Sequence, residues 1–155
     1  MATSMAAVSA AEFSLPDRQK RLIAWTLYVG FAAMGIAALN GLGQALNYAG
    51  INILEWFPGM RTYYQGLTAH GVLMALVLTF SFSNGFMSLM TARALGRPLH
   101  TGLLTAALVT LVLGVLLAGG AIASGTSSVL FTFYPPLQAH WTFYLGGALL
   151  VISTW

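Results

Sequence analysis

Three histidines, His70, His100 and His140, carry the metal-ligating chemistry available to the apolar parts of this 155-residue chain. The chain has no cysteine, which excludes disulfides, thiolate zinc sites and cysteine-held iron–sulfur clusters within it. His70 lies in Tyr63-Tyr64-Gln65-Gly66-Leu67-Thr68-Ala69-His70-Gly71-Val72-Leu73-Met74, near the start of a long apolar run. An ionisable group in such a run is costly without a partner and marks a functional site by default. Imidazole ligates metals and haem iron, but a buried histidine bonded to a neighbouring helix fits the same location. Gly66 and Gly71 keep bulk off the backbone beside His70, which would admit a flat macrocycle or, equally, a close-packed helix.

His140 stands beside Trp141 and Tyr144. It could pair with His70 on one haem, or sit in an interfacial aromatic belt. His100, next to the Arg97 turn, belongs at the opposite boundary, across a core of about 30 Å from any site shared with His70. No Asp or Glu falls inside a long apolar run, so a carboxylate proton relay through this segment is not supported. Paired carboxylates, a nucleophile elbow and a phosphate-binding glycine loop are absent, and no catalytic residue is assigned.

The elements that must position these residues are membrane helices. The sequence is 58% hydrophobic and 6% charged, with mean hydropathy +0.81, against about 25% charged in soluble domains. Its few charges cluster at Glu12–Arg21, Glu55–Arg61 and Arg93–Arg97, and the stretches between them suffice for the roughly 20 residues of a span. The formal charge of +3 comes without a basic, aromatic-interleaved patch, so nucleic acid is not a predicted partner; the partner of this surface is the lipid bilayer.

Residues 1–15 are Ala- and Ser-rich and are expected to be disordered, within a tail over 1–21. The apolar run after Arg21 is too long for a signal-peptide core, so a retained helix is expected. Helices are predicted at about 22–46, 63–92, 99–124 and 139–155, with Gly96 and Pro98 breaking the second from the third and Pro135-Pro136 preventing helix there. The fourth is still apolar at Trp155, which predicts that the chain is part of a larger polytopic protein. Flanking Lys and Arg number three, one, two and none from the N-terminal flank through the successive loops. That asymmetry predicts a cytoplasmic N-terminus and puts His70 near the outer face, roughly 10 Å into its helix.

Trp56, Tyr63, Tyr64, Tyr134, Trp141 and Tyr144 would form the outer aromatic belt. Gly114-x-x-x-Ala118 and Gly119-x-x-x-Ala123 are small-residue packing motifs, and Asn40, Gln44 and Asn84 are candidates for interhelical hydrogen bonds. Arg61 reads as a solvated loop arginine, with an anionic group such as a haem propionate as the alternative.

The stretch Tyr63–Leu73 resembles the second helix of subunit I of haem–copper terminal oxidases, and more closely that of the B-type (ba-type) branch. Leu130-Phe131-Thr132-Phe133-Tyr134-Pro135-Pro136-Leu137-Gln138-Ala139-His140-Trp141-Thr142-Phe143-Tyr144-Leu145-Gly146 is similar to that branch's link into its fourth helix, and Val151-Ile152-Ser153-Thr154-Trp155 continues the likeness. The resemblance extends over about residues 22–155. It implies an all-α, polytopic transmembrane bundle of a dozen or so helices, of which about four are present here.

By this resemblance His70 is an axial ligand of low-spin haem b whose partner ligand comes from a much later helix, which argues against His140 in that role. Tyr134 would lie near the high-spin haem. The high-spin haem and copper B are expected in the full-length subunit, on residues beyond this segment. A copper-bearing subunit II and cytochrome c as donor are the implied partners, and a prokaryotic inner membrane the implied location. The whole enzyme would reduce O₂ with coupled proton translocation, whereas this segment alone is expected to be inactive. The A-type branch carries an Asp in the turn after its second helix; Thr91–Pro98 has no acid, in agreement with the B-type resemblance. Two alternatives stay open: a nitric oxide reductase-like subunit, and a small four-helix b-type cytochrome or structural membrane subunit.

Overall fold

The computed structural model describes residues 14–53 and 59–154. Four helices carry the chain: α1, Asp17–Tyr48; α2, Tyr63–Leu95; α3, Thr101–Ala123; and α4, Trp141–Ile152. The first three are long and apolar enough to cross a membrane, with mean hydropathies of 1.9, 1.7 and 2.4; α4 is a shorter apolar helix. The fold is all-α, as the sequence predicts.

Several predicted boundaries move. α1 begins at Asp17 rather than residue 22, taking the cationic flank into the helix. Pro16 precedes it with φ −55°, and Asp17 occupies the first turn, where an acidic group favours the helix dipole. α2 continues past residue 92 to Leu95 and ends at Gly96, whose φ of +60° suits a residue without Cβ. α3 starts at Thr101 rather than 99 because the His100 imidazole caps it, Nδ1 accepting from the Leu103 amide at 3.3 Å. α4 spans Trp141–Ile152 rather than 139–155, capped in the same way by His140. The expectations for residues 1–13, Glu55, Trp56, Pro58 and Trp155 lie outside the described residues.

α2 is not uniform. Leu73–Leu78 form a π-helical turn between two α-helical stretches, and the Thr79 hydroxyl donates to the Met74 carbonyl, five residues back, at 3.5 Å. The turn begins three residues after His70.

Helix contacts follow small residues. Gly114 and Ala118 on α3 meet Gly146 on α4 so closely that a Cβ at 146 would lie 2.6 Å from the Ala118 nitrogen and 2.7 Å from the Gly114 oxygen. Ala33, Val77, Leu111 and Leu150 form the central core, and Val72, Ala118, Ile122, Val129 and Phe143 pack nearer the His70 end. The Gly119-x-x-x-Ala123 motif behaves differently from its prediction. Nothing lies within 4 Å of a Cβ at Gly119, and both residues line a cavity of about 550 Å³ between α1, α2 and α3. At the opposite end, buried Gln19 ties the start of α1 to the α2–α3 turn. Its Nε2 donates to the Leu99 carbonyl at 2.6 Å and the Thr101 hydroxyl at 2.9 Å, and its Oε1 accepts from the Leu99 amide at 3.2 Å.

The α3–α4 seam has no room for a side chain at residue 146. Gly146→Leu is expected to cost about 1–3 kcal/mol or more through overpacking, lowering the thermal midpoint of the detergent-solubilised protein. Gly147→Ala, with nothing within 4 Å of the added Cβ, should leave it unchanged.

Candidate functional site: the His70 imidazole

His70 is held by α1. Its Nδ1 lies 2.8 Å from the Ala37 carbonyl oxygen. A carbonyl only accepts, so Nδ1 carries the proton, and Nε2 is the ring nitrogen left for another partner. Ala37 sits inside α1, where its carbonyl points toward residue 41; a second hydrogen bond there needs an open approach. Gly41 supplies it. A Cβ at 41 would fall 2.7 Å from His70 Cε1 and 2.8 Å from Nδ1, so only glycine leaves the ring room to reach the carbonyl.

The rest of the Gln65–Gly71 motif builds the frame around that ring. Gln65 is 2% exposed. Its Nε2 donates to the Gly59 carbonyl at 2.7 Å and the Ile122 carbonyl at 2.6 Å, while Oε1 accepts from the Arg61 amide at 2.8 Å. One side chain thereby joins the α1–α2 loop, the start of α2 and the end of α3. The Thr62 hydroxyl caps α2 by accepting from the Gln65 amide at 3.1 Å. Thr68, fully buried, accepts from the Leu130 amide at 2.8 Å and donates to the Tyr64 carbonyl at 2.7 Å. Leu130 has φ +60°, an uncommon conformation for a bulky residue, and the Thr68 hydroxyl holds it there.

The two flanking glycines serve packing rather than a macrocycle. The space of a Cβ at Gly66 is taken by the Gln44 amide, and that at Gly71 by Phe131. The glycine that shapes the imidazole's position is Gly41, on the other helix, and nothing in the α2 motif reveals it. Gln65 and Thr68 were likewise part of a recognisable string without a stated role; a buried Gln three residues after a Thr cap is the available signal.

The other candidates separate from His70. His140 is exposed and caps α4, its Nδ1 2.9 Å from the Thr142 hydroxyl, and its ring lies against Trp141 at 5.5 Å. His100 caps α3. Tyr134 is 69% exposed on the segment between α3 and α4. That segment closes on itself where His140 donates its amide to the Thr126 carbonyl at 2.9 Å, and it contains the cis Pro135-Pro136 peptide. Tyr64, Trp141 and Tyr144 are also exposed, as belt residues require, while Tyr63 is half-buried. The Arg61 side chain is exposed and runs past Gly125, whose Cβ would lie 3.2 Å from Arg61 Cδ. Asn84 makes the expected interhelical bonds, donating to the Ser153 carbonyl and hydroxyl at 3.1 Å. Asn40 and Gln44 do not: Asn40 Oδ1 and both Gln44 amide atoms are buried without a hydrogen-bond partner.

Among the described residues no three His, Cys, Asp or Glu side chains come together as a metal cage. A single imidazole with an anchored Nδ1–H and a free Nε2 suits a metal whose other donors come from elsewhere. A porphyrin iron is such a metal, and the anchoring bond is the kind that orients ligating histidines. His70 and its Gly41 cradle therefore fit a haem iron ligand.

Comparison with known proteins bears on this directly. Residues 21–155 match the family described as cytochrome c and quinol oxidase polypeptide I. The chain belongs to that family. It is 36% identical, over its whole length, to cytochrome c oxidase subunit 1 of Thermus thermophilus, and covers 28% of that protein. A haem–copper terminal oxidase dimer solved by cryo-EM contains a chain similar in fold, with TM-score 0.79 and 37% identity, over 90% of this chain and 24% of that one. The chain thus spans about a quarter of the length of these relatives, as a membrane-spanning part of a haem–copper oxidase subunit I.

Gln65→Leu removes the partner of the Arg61 amide and of the Gly59 and Ile122 carbonyls. Each group left unpaired costs about 1–3 kcal/mol, so the variant should show a lower thermal midpoint and earlier proteolysis within the 59–61 loop.

Proposed function

We propose that this chain supplies half of the low-spin haem b site of a B-type haem–copper terminal oxidase, with His70 Nε2 as one axial ligand. The observation that carries the proposal is the 2.8 Å contact of His70 Nδ1 with the Ala37 carbonyl. It puts the proton on Nδ1 and turns the ring, as the second contact of a ligating histidine does. The family supports a haem-binding role, and the acid-free turn Thr91–Pro98 supports the B-type branch.

The haem, when bound, supplies one-electron chemistry at its iron; the chain's own task is to hold the ligand. α1 provides the acceptor for Nδ1–H, Gly41 provides the space, and Gln65 and Thr68 keep α2 in register with α3 and the following loop. Because the imidazole cannot swing without losing the Ala37 carbonyl, the direction in which Nε2 would meet an iron is set by α1 as much as by α2. In the whole enzyme this site would receive electrons from cytochrome c through a copper-bearing subunit II and pass them to a high-spin haem and copper B, where O₂ is reduced with coupled proton translocation. Tyr134 is assigned to the side of the high-spin haem. The Lys and Arg asymmetry supports a cytoplasmic N-terminus with His70 in the outer half of the membrane, and the family resemblance supports a prokaryotic plasma membrane.

In the full-length oxidase, His70→Ala should abolish the low-spin haem b band in reduced-minus-oxidised spectra. Gly41→Val should retain the protein but move the imidazole off Ala37, shifting or broadening the band. Survival of an unaltered band in His70→Ala would refute the assignment.

A further inference from the structure

We infer that Asn40 and Gln44 bind ordered water at the α1–α2 seam, one helical turn from the His70 imidazole. Gln44 is only 6% exposed, yet among the described residues neither amide atom has a hydrogen-bond partner, and neither does buried Asn40 Oδ1. Leaving such groups dry is expensive, about 1–3 kcal/mol for each buried polar group. The three atoms belong to residues four apart on one helix, which lie on the same face. Ala37 and Gly41, which hold His70, share that face.

A buried water needs two to four polar partners and room for at least one probe sphere. Asn40 gives such a site its room, while Gln44 lines no cavity among the described residues and contributes its two unpaired amide atoms from beside Gly66. Asn40 Oδ1 and Gln44 Oε1 accept and Gln44 Nε2 donates, so the bound species must both donate and accept, as water does. Asn40 lines the cavity of about 550 Å³ between α1, α2 and α3, together with Ala69 and Leu73, which flank His70 along α2. The remaining wall is largely apolar, from residues such as Val77, Val115 and Ile122, so water is held at the amide edge and not throughout the cavity. Gly66 is part of the arrangement: the Gln44 amide occupies the position of its absent Cβ, and a side chain there would push the amide away.

A water and two amide dipoles this close to the ligand stabilise positive charge at the iron it binds. Asn40 and Gln44 are thus positioning residues that hold the potential of the oxidised centre down. This second part rests on His70 as haem ligand; the water site does not.

The test uses the full-length oxidase and its Gln44→Met variant, which keeps the volume and removes the amide. With water bound, the variant loses the bridge, leaves Asn40 Oδ1 unpaired, and shows a lower thermal midpoint. With a dry amide, the variant sheds an unpaired polar group and its midpoint rises or stays level, which overturns the inference. A high-resolution cryo-EM map of the wild type gives an independent reading. Density within hydrogen-bonding distance of both Asn40 and Gln44 supports the water site, and an empty seam or amides bonded to another part of the protein refutes it. The low-spin haem midpoint potential should rise in Gln44→Met with its absorption band intact, whereas a wild-type potential overturns the haem part alone. If His70→Ala keeps the band, the ligand assignment fails and the water site still stands or falls on the map and the thermal midpoint.

Discussion

A backbone carbonyl inside a membrane helix has one helical partner and one spare lone pair, and the structure depends on where the Ala37 carbonyl spends the spare one. In hydrocarbon no water competes for it, so the Nδ1–H of His70 can take it if the imidazole can come close. The absence of a Cβ at Gly41 decides that. From this single contact follow the tautomer of His70, the direction of its free nitrogen and the register in which α2 runs antiparallel against α1. Gly66 beside Gln44, and Gly85 beside Leu27, continue that register along the seam in both directions.

Around this contact the polar groups of the membrane interior fall into two kinds. Gln65, Thr68, Gln19 and Asn84 are fully engaged, mostly with backbone groups that helix ends or loops leave open. Each reaches a loop or another helix, at a place where the partner's backbone leaves a group open. Asn40, Gln44 and Ser81 are buried on helices and find no partner among the described residues.

Much of this was legible in the sequence and some was not, for physical reasons. Long uncharged runs between charge clusters announce spans, because the hydrocarbon core tolerates nothing else. His70 stood out because imidazole is conspicuous against Leu and Val. The α1 start was missed because an amphipathic flank of Asp, Arg, Gln and Lys is a good helix former that hydropathy cannot register. The π-helical turn over Leu73–Leu78 has no Gly or Pro to mark it, and arises from packing. Gly41 looked like one small residue among several in α1, since its role lies in a partner 29 positions away in sequence. The two readings left open for Gly66 and Gly71 have the same origin: glycine states that something comes close, never what. His100 and His140 were placed at boundaries by their neighbours, but their capping role needed the backbone.

The Gln19 fastening has a consequence for biogenesis. Its amide is satisfied by Leu99 and Thr101, about 80 residues later in the chain. While α1 and α2 leave the ribosome, that side chain sits at the edge of the bilayer with nothing but headgroups and water to bond. The first helix can therefore lie in the membrane early yet complete its docking only when the start of α3 has been synthesised. The α1–α2 pair would mature as a loosely closed hairpin, and the packing around His70 would tighten when the third helix arrives and locks both ends, through Gln19 at one and Gln65 at the other.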